Sequence, residues 1–556
     1  MKVTGSHLIA QALRAEGVQK IFALAGDHTL PVMDLMAQQG FEFIDTRHEQ
    51  GAVHMANAWG RITGTPGVCL FTTPGHTNAI AGLALAQHMD SPVINIVGCA
   101  HQDRLGQGAM QEIDQIGMAR PVTKGAWFVG DARRIPEYVA RAFRTALIGR
   151  RGPVHLTIPL DVQEAVVDED EVEPYSPQDS RPRGNVLGDP QRIKEAVELL
   201  HSAKRPFILA SAGAYTASRA TLERLLDVTR IPLFTEDAAR GIVPDDNPYC
   251  AGYADAKVND AAVMLNEADA VLFLGKKLDF TVSFGGPPTF APDVKVVQVE
   301  SSGDLIGLSR GVDVPVMADV GAAVEQLTLE AEGRSWSGNP LMGELASARK
   351  SQLGKLEAFA SEPPLNAMSV HRRLRPMLDD ETALVFEGSD FAFYGAAYYP
   401  SRVRDRWFTN GTLGMIGWGV PFGVGAQAAL PNSKVVVLTG DGAFGFHPME
   451  IDTAVRFGLP VVFVVGNDSI WGVDYHQQVQ LYGRSVATEL LPSRYDKIGE
   501  ALGAHSEHVE EEADLGPALE RALASNKPAV VNVRIRPSPS PLTEHIIRAK
   551  SGVVGG

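Results

Sequence analysis

Two apolar runs in the last third of the chain each lead into an acidic side chain, and their spacing restricts the fold. The first run, Lys434–Thr439, ends at Gly440-Asp441-Gly442, and the second, Pro460–Val465, is followed by Asp468, 27 residues after the first aspartate. Each run is typical of a strand buried on both faces of a parallel sheet, and the segment between them has the length of a crossover helix. The two acidic side chains are therefore expected at the carboxyl ends of neighbouring strands, where open α/β sheets bind ligands.

The residues at these strand ends suit a diphosphate and a divalent cation. Glycines on both sides of Asp441 let a diphosphate approach the backbone, and Asp441 and Asp468 offer hard oxygen ligands to Mg²⁺. An isolated triplet of this kind also fits an ordinary strand-to-helix turn. A second, independent feature is therefore needed to decide between the two interpretations.

The pattern resembles the thiamine diphosphate binding motif, in which Gly-Asp-Gly is followed on the next strand by paired asparagines. By that resemblance Asp441 and Asp468 bind Mg²⁺, and the backbone carbonyl of Ile470 is the third protein ligand. The chain departs from the family at Asp468, where asparagine is usual, and the carboxylate adds a negative charge beside the diphosphate. Further contacts with the cofactor are expected from the same two turns, at Gly440, Gly442, Ala443 and Ser469.

The second feature is Glu49, in the run Thr46-Arg47-His48-Glu49-Gln50. Thiamine chemistry needs one buried carboxyl group that hydrogen-bonds the aminopyrimidine ring and relays a proton. In thiamine-dependent enzymes of the decarboxylase and acetolactate synthase type, this glutamate follows a strand in a similar setting. The alternative is a solvated turn at a strand end. Together with the Gly-Asp-Gly motif, the resemblance implies that Glu49 is the cofactor carboxyl.

A glycine-rich segment, Asn410–Gly417, fits the same site. In the family, a glycine in this segment offers its carbonyl to the 4′-amino group, and a bulky apolar residue holds the cofactor bent. Gly414 and Ile416 match these two roles, with Met415 as an alternative one residue out of register. The bent shape places the amino nitrogen close to the reactive carbon.

Polar groups near the reactive carbon are expected from loops of the first domain. The candidates for catalytic roles are His28, His76 and Gln111. Met110-Gln111-Glu112 resembles a motif that recurs in acetolactate synthase relatives. A single histidine in a loop is more often a surface residue than a catalyst, and the CoA-dependent branch usually has no histidine at the position of His76.

Length and linkers predict three domains. A chain of 556 residues is too long for one hydrophobic core. The polar segments Val167–Val186 and Glu330–Gly338 divide it into three consecutive α/β domains, each a doubly wound parallel sheet. The expected domains are a pyrimidine-binding domain (1–166), a central Rossmann-like domain (187–330) and a diphosphate-binding domain (360–540), followed by a C-terminal tail (541–556).

Central-domain segments indicate a branch of the family. Ala268–Phe280 and Phe284–Phe290 resemble the 2-hydroxyacyl-CoA lyases and oxalyl-CoA decarboxylases. The resemblance implies cleavage of a 2-hydroxyacyl-CoA to formyl-CoA and an aldehyde or ketone, and the reverse condensation. Lys277 stands where several relatives use an arginine to hold an adenine nucleotide, which leaves open whether a nucleotide binds here. With Arg548 and Lys550, it is a candidate contact for CoA phosphates.

Three alternatives within the same class use substrates without CoA. They are an acetolactate-synthase-like carboligase, a benzaldehyde-lyase-like enzyme and a 2-oxoacid decarboxylase. Outside the class, a nucleotide-dependent dehydrogenase is disfavoured, because no GxGxxG follows a strand with an acidic residue at the right distance.

Composition and resemblance also set expectations for partners. The net charge of −16 argues against nucleic acid. No apolar run is long enough to span a bilayer and no signal peptide is recognised, so a cytoplasmic enzyme that acts on a small molecule is expected. The resemblance implies a homodimer as the smallest active unit, with Glu49 of one chain facing Asp441 of the other, and commonly a homotetramer.

Overall fold

Three six-stranded sheets, each with helices on both faces, build the molecule. The computed structural model describes residues 1–182 and 184–554. Every strand pair within the three sheets is parallel. The predicted fold class, three consecutive doubly wound α/β units, is confirmed.

The first sheet has the strand order β3-β2-β4-β5-β7-β6. The strands of this part of the chain are β1 (Lys2–Thr4), β2 (Lys20–Ala23), β3 (Glu42–Asp45), β4 (Gly67–Phe71), β5 (Val93–Cys99), β6 (Gly125–Phe128), β7 (Val154–Pro159) and β8 (Val166–Asp168). The helices are α1 (Gly5–Ala15), α2 (Leu30–Gln38), α3 (Glu49–Thr63), α4 (Thr73–His88), α5 (Gln115–Ala119), α6 (Ile135–Leu147) and α7 (Leu160–Glu164). Outside the sheet, β1 pairs antiparallel with β8, so the start of the expected first linker is a strand.

The second sheet has the order β11-β10-β9-β12-β13-β14, the order common to dinucleotide-binding folds. A short helix, α8 (Pro177–Ser180), precedes it. Its strands are β9 (Pro206–Ala210), β10 (Leu233–Thr235), β11 (Cys250–Tyr253), β12 (Ala270–Leu274), β13 (Lys295–Glu300) and β14 (Val314–Met317). Its helices are α9 (Pro190–Ser202), α10 (Arg219–Thr229) and α11 (Val320–Ala331), and α12 (Met342–Phe359) leads into the third domain.

The third sheet has the order β16-β15-β17-β18-β20-β19. Its strands are β15 (Ala383–Glu387), β16 (Trp407–Phe408), β17 (Val435–Gly440), β18 (Val462–Asn467), β19 (His505–Val509) and β20 (Ala529–Arg534). Its helices are α13 (Ala367–Leu374), α14 (Asp390–Tyr398), α15 (Gly419–Ala429), α16 (Asp441–Phe444), α17 (Glu450–Arg456), α18 (Gly472–Tyr482), α19 (Tyr495–Ala501), α20 (Glu512–Ala524) and α21 (Pro541–Val554).

The first and third sheets share one topology. In each, the strand order reverses beside the strand that comes first in the chain. The reversal lies between β2 and β4 in the first sheet and between β15 and β17 in the third. At such a point the connections leave in opposite directions and open a crevice at the carboxyl ends of the strands. The fold therefore provides a binding crevice in each outer domain.

The first and third domains share a core within the chain. Helix α3 packs on helix α15, and a side chain at Gly425 would lie 2.4 Å from the Cα of Met55. Trp418 and Phe422 are fully buried in the same cluster as residues of α3. Since α3 begins at Glu49, this close contact places Glu49 relative to the third domain.

A buried ion-pair cluster joins the first domain to the second. Arg150 is 8% exposed, and it contacts Asp90 at 2.6 Å and Glu300 at 2.8 Å. The guanidinium also donates to the carbonyl of Gly275 at 2.7 Å. Lys277 binds the other oxygen of Asp90 at 3.1 Å. Removing one member of such a cluster leaves buried charges without a partner.

We expect Arg150→Leu to destabilise the protein by about 3–5 kcal/mol, because Asp90 and Glu300 would each lose a buried partner. The change would be measured as a lower midpoint of urea unfolding. As a matched control, Arg219→Leu removes an exposed pair with Glu223 and should leave the midpoint nearly unchanged. Equal midpoints for the two variants would show that the cluster does not stabilise the domain contact.

Candidate active site

A cavity lies at the strand-order reversal of the third sheet. Its walls come from the turns after β15, β17 and β18 and from the start of α18. The lining residues are Gly388, Ser389, Phe391, Ile416, Gly440, Asp441, Gly442, Ala443, Gly466, Asp468, Ile470, Trp471 and Asp474. The predicted acidic residues therefore share one cavity. A side chain at Gly440 would meet no atom within 4 Å, so its backbone borders open space.

Two buried carboxyl groups face this cavity. Burial raises the pKa of Asp441 to about 6, against the opposing effect of backbone N–H groups such as that of Ser469, 3.1 Å from Oδ2. Burial, with the charges of Asp441 and Asp390, raises the pKa of Asp468 well above its usual range. A cation between Asp441 and Asp468 would offset both effects.

The turn after β18 is held in an uncommon backbone conformation. Ser469 has a φ of 62°, in the left-handed region. Arg534, at the end of β20, donates to the hydroxyl of Ser469 at 2.8 Å. The neighbouring Ile470 lines the cavity and is 8% exposed. Arg534 therefore supports the turn that carries Ser469 and Ile470.

The segment before α15 presents the residues expected to hold the aminopyrimidine. Gly414 has a φ of 67°, which favours glycine. Ile416 lines the cavity, whereas Met415 packs against the shared core and its sulfur lies 3.8 Å from Nε2 of Gln50. This arrangement supports the register that assigns Ile416 to the cavity.

Glu387, at the end of β15, is a residue that sequence reasoning missed. It is fully buried, and burial raises the pKa of its carboxyl group to about 7. Thr439 donates to Oε2 at 3.3 Å. A side chain at Gly419 would lie 2.6 Å from the same oxygen, so Glu387 lies against the first turn of α15. It supports the segment that carries Gly414.

Glu49 lies in a separate, closely fitted environment in the first domain. It is 9% exposed, and Asn78 donates to its Oε2 at 2.9 Å. A side chain at Gly75 would lie 2.8 Å from Cγ and 2.9 Å from Oε1 of Glu49. The first turn of α4 therefore holds the carboxylate. Among the described residues that line the third-domain cavity, none belongs to the first domain.

A third-domain carboxylate supports the turn that leads to Glu49. Glu450 accepts hydrogen bonds from the backbone N–H groups of Arg47 at 3.1 Å and His48 at 3.0 Å. Thr453 donates to the same carboxylate at 2.6 Å. Sequence reasoning assigned no role to Glu450, because its partners lie about 400 positions away in the chain.

The structure does not gather the three first-domain candidates around the cavity. His28 is 3% exposed, in a short 3₁₀ turn after β2. Gln111 is exposed, with a φ of 59°, in the segment between β5 and α5. His76 lies in helix α4 and is fully buried, so the expected loop position is wrong. The helix begins at Thr73, and its first turn accommodates Pro74 and Gly75.

Comparison with known proteins identifies the class. The thiamine pyrophosphate enzyme N-terminal TPP binding domain matches residues 3–118, the central domain matches 193–327 and the C-terminal TPP binding domain matches 388–533. The chain belongs to the thiamine pyrophosphate enzyme family. It is a thiamine-diphosphate-dependent enzyme that acts on carbon–carbon bonds.

Similar proteins differ in the reactions for which they are named. The acetolactate synthase large subunit of Mycobacterium tuberculosis is 34% identical over 543 residues, 96% of each chain. The 2-hydroxyacyl-CoA lyase of Oryza sativa is 31% identical over 562 residues, 97% of this chain and 96% of the relative. The human 2-hydroxyacyl-CoA lyase 1 is 28% identical over 557 residues, 96% of this chain and 95% of the relative. These relatives support a lyase or carboligase but do not determine the substrate.

The third-domain cavity fits the diphosphate of this cofactor. Its donor set includes the carboxylates of Asp441 and Asp468, the exposed carboxylate of Asp474 and the backbone beside them, which suits a hard cation. Within residues 1–182 and 184–554, no group of three or more His, Cys, Asp or Glu side chains is arranged to hold a metal ion. A metal at Asp441 and Asp468 would therefore need further oxygen ligands, from the diphosphate and the carbonyl of Ile470.

We expect Asp441→Ala to weaken thiamine diphosphate binding in the presence of Mg²⁺ by at least about 100-fold. Loss of a residue that only supports a metal ligand typically weakens binding less than this. The diphosphate would then meet Asp468 without a well-held cation between them. Titration followed by tryptophan fluorescence would measure the change.

Asp468→Asn provides the comparison for that variant, since its amide oxygen can still bind the metal. It should keep the affinity within about 10-fold of the unmodified protein. Unchanged affinity in Asp441→Ala would remove Asp441 from the metal site.

We expect Gly75→Ala to slow proton exchange at C2 of the bound cofactor by more than about 10-fold. Its methyl group would displace the Glu49 carboxylate from Asn78. Diphosphate binding should be preserved, because the third-domain cavity is untouched. Gly343→Ala, where a side chain meets no atom within 4 Å, is the matched control. Normal exchange in Gly75→Ala would show that Glu49 tolerates displacement.

Proposed function

We propose that this enzyme is an acetolactate-synthase-like carboligase that acts on a small 2-oxoacid or 2-hydroxyketone without CoA. The observation that carries the proposal is the pairing of Lys277 with buried Asp90 at 3.1 Å. Lys277 is the central-domain residue expected, by resemblance, to bind a CoA phosphate, and here its ammonium group is paired with Asp90 instead. The 34% identity to an acetolactate synthase over 96% of both chains supports the same choice.

The remaining CoA candidates are also engaged. Lys550 donates to Gln477 at 2.6 Å, and Arg548 lies 3.5 Å from Glu544. Each is exposed, so the contacts themselves are weak. On a protein with a net charge of −16, binding of a polyanionic CoA would need a stronger cluster of free cations than these residues provide.

We also propose that the central domain binds no adenine nucleotide. Where the strand order reverses, the N–H of Gly213 donates to the carbonyl of Gly275 at 2.9 Å, so the two turns touch. The buried ammonium group of Lys276 forms ion pairs with Glu236 at 2.7 Å and Asp279 at 3.0 Å. Nucleotide phosphates would meet these carboxylates, and we propose that the domain acts as a structural spacer.

The proposed active unit is a homodimer with Mg²⁺ at Asp441 and Asp468. Glu49 and the third-domain cavity have separate linings within one chain, so a second chain would supply the missing half of each site. In this proposal Glu49 would hold and relay a proton at the aminopyrimidine, and Asn78 would orient its carboxylate. The Gly414 carbonyl would accept from the amino group, and Ile416 would maintain the bent shape. When bound, thiamine diphosphate supplies an electron sink for the carbon–carbon bond.

A 2-hydroxyacyl-CoA lyase is the second candidate. It is favoured by the relatives of that name, which are 28–31% identical over nearly the whole chain. The two candidates differ in whether the substrate carries CoA, and a direct comparison of substrates can distinguish them.

The test offers pyruvate, benzoin, and formyl-CoA with an aldehyde, in parallel, to the protein with thiamine diphosphate and Mg²⁺. Mass spectrometry would identify the products. We expect turnover of pyruvate or benzoin and none of the acyl-CoA. Glu49→Gln is the control and should give no product with any substrate, because the proton relay is lost. Turnover of the acyl-CoA alone would overturn the carboligase proposal in favour of the lyase.

A further inference from the structure

Five buried polar side chains form a connected group in the first domain. Each is at most 3% exposed, although the surrounding core is apolar. We call this group the histidine network; its members are His76, Asn95, Gln115, His155 and Thr157. Buried polar groups cost free energy unless they are satisfied, so a network in a core calls for an explanation.

The network begins inside the sheet. Asn95 on β5 lies directly beside His155 on β7 in the parallel register, and Thr157 lies two positions further along β7. These central strands are otherwise apolar, as parallel strands buried on both faces usually are. The His155 ring stacks on the His76 ring at a centroid distance of 4.3 Å.

The hydrogen-bond directions in the network are fixed by one carbonyl group. The backbone carbonyl of Gln115 can only accept a hydrogen bond, so Nε2 of His76, 3.1 Å away, donates to it. In the neutral ring Nδ1 then accepts, from the amide nitrogen of Asn95 at 3.1 Å. The same amide nitrogen lies 3.0 Å from Nδ1 of His155, whose Nε2 therefore donates to Thr157 at 2.8 Å.

The network returns to the side chain of Gln115. Thr157 donates to the side-chain oxygen of Gln115 at 2.7 Å, and the Gln115 amide donates to Thr73 at 2.7 Å. Both ring nitrogens of His76 are thus engaged within the domain. Burial lowers the pKa of His76 to about 4, so the ring is neutral near neutral pH. These contacts leave His76 no nitrogen with which to exchange a proton with a substrate.

Gln115 anchors the segment 100–114, which carries Gln111. This segment covers a cavity of about 570 Å³, to which Leu105 and Ile113 contribute apolar walls. Gln115 and Thr157 also line the cavity. The network therefore supports both the polar part of the cavity wall and the end of the segment that covers it.

We infer that the histidine network positions the segment 100–114, and that His76 is a positioning residue that acts through Gln115. The inference rests on the proposed function in one respect, because it takes this segment as a wall of the substrate pocket. The side-chain oxygen of Asn95 is the one atom of the histidine network that is buried without a hydrogen-bond partner in the described residues. The other members are hydrogen-bonded, and such a network specifies one arrangement, whereas an apolar core of equal volume tolerates several. The segment would keep one position while substrate binds.

The test replaces the interior of the network with apolar residues in the variant His76→Leu/Asn95→Val/His155→Leu. Removing buried polar partners together leaves few unpaired groups, so thermal stability should be retained or increased. We expect backbone hydrogen exchange in residues 100–114 to accelerate by at least about 10-fold. The KM for pyruvate should rise at least about 10-fold, because the segment would no longer hold one position.

The outcomes separate this inference from the proposed function. A stable variant with unchanged exchange in residues 100–114 would overturn the positioning role. If the unmodified protein does not turn over pyruvate, the proposed substrate is wrong, and hydrogen exchange still tests the network.

A milder variant keeps the test decisive if the triple variant does not fold. Thr157→Val breaks the link between His155 and Gln115 with little change of shape, and it should also accelerate exchange in residues 100–114. Thr229→Val is its matched control, since it removes another buried hydroxyl, 2.8 Å from the Leu225 carbonyl, in the central domain. Equal exchange in the two threonine variants would overturn the inference.

Discussion

The contact between α3 and α15 is the constraint on which both halves of the site depend. The two helices approach so closely that Gly425 has no room for a side chain. Since α3 begins at Glu49, and α15 follows directly on the segment with Gly414 and Ile416, one packing contact fixes two functional positions. Glu450 adds to this by binding the backbone just before Glu49. Burial at the domain contact thus stabilises the fold and places the candidate site residues at the same time.

Much of the fold and part of the site could be predicted because they depend on local pattern. Apolar runs ended by glycine and acidic residues mark parallel strands and their carboxyl ends, and the topology then brings Asp441 and Asp468 to one cavity. Ile416, which lines the same cavity, was assigned by resemblance to the family and not by this pattern. The pairing of β1 with β8 was not predicted, because three-residue strands carry too little pattern.

The rest of the site depends on contacts between distant segments. Glu387 and Glu450 each lie in ordinary strand or helix sequences, and their partners are apparent only once the chain is folded. Asn95 and His155 did carry a signal, since polar residues inside apolar parallel strands need a buried partner. His76 was expected in a loop by resemblance to the family, whereas it lies in helix α4, whose first turn accommodates Pro74.

In the histidine network each group has a fixed role as donor or acceptor, and this limits how the protein can evolve. A single replacement leaves a buried donor or acceptor without a hydrogen-bond partner, whereas replacing several partners at once need not leave one. The effect of each substitution on stability therefore depends strongly on the residues already present, and we expect intermediates on a stepwise mutational path to be less stable than either end. His76, Asn95 and His155 should be inherited together or lost together, so their joint presence in another chain would identify the same internal arrangement.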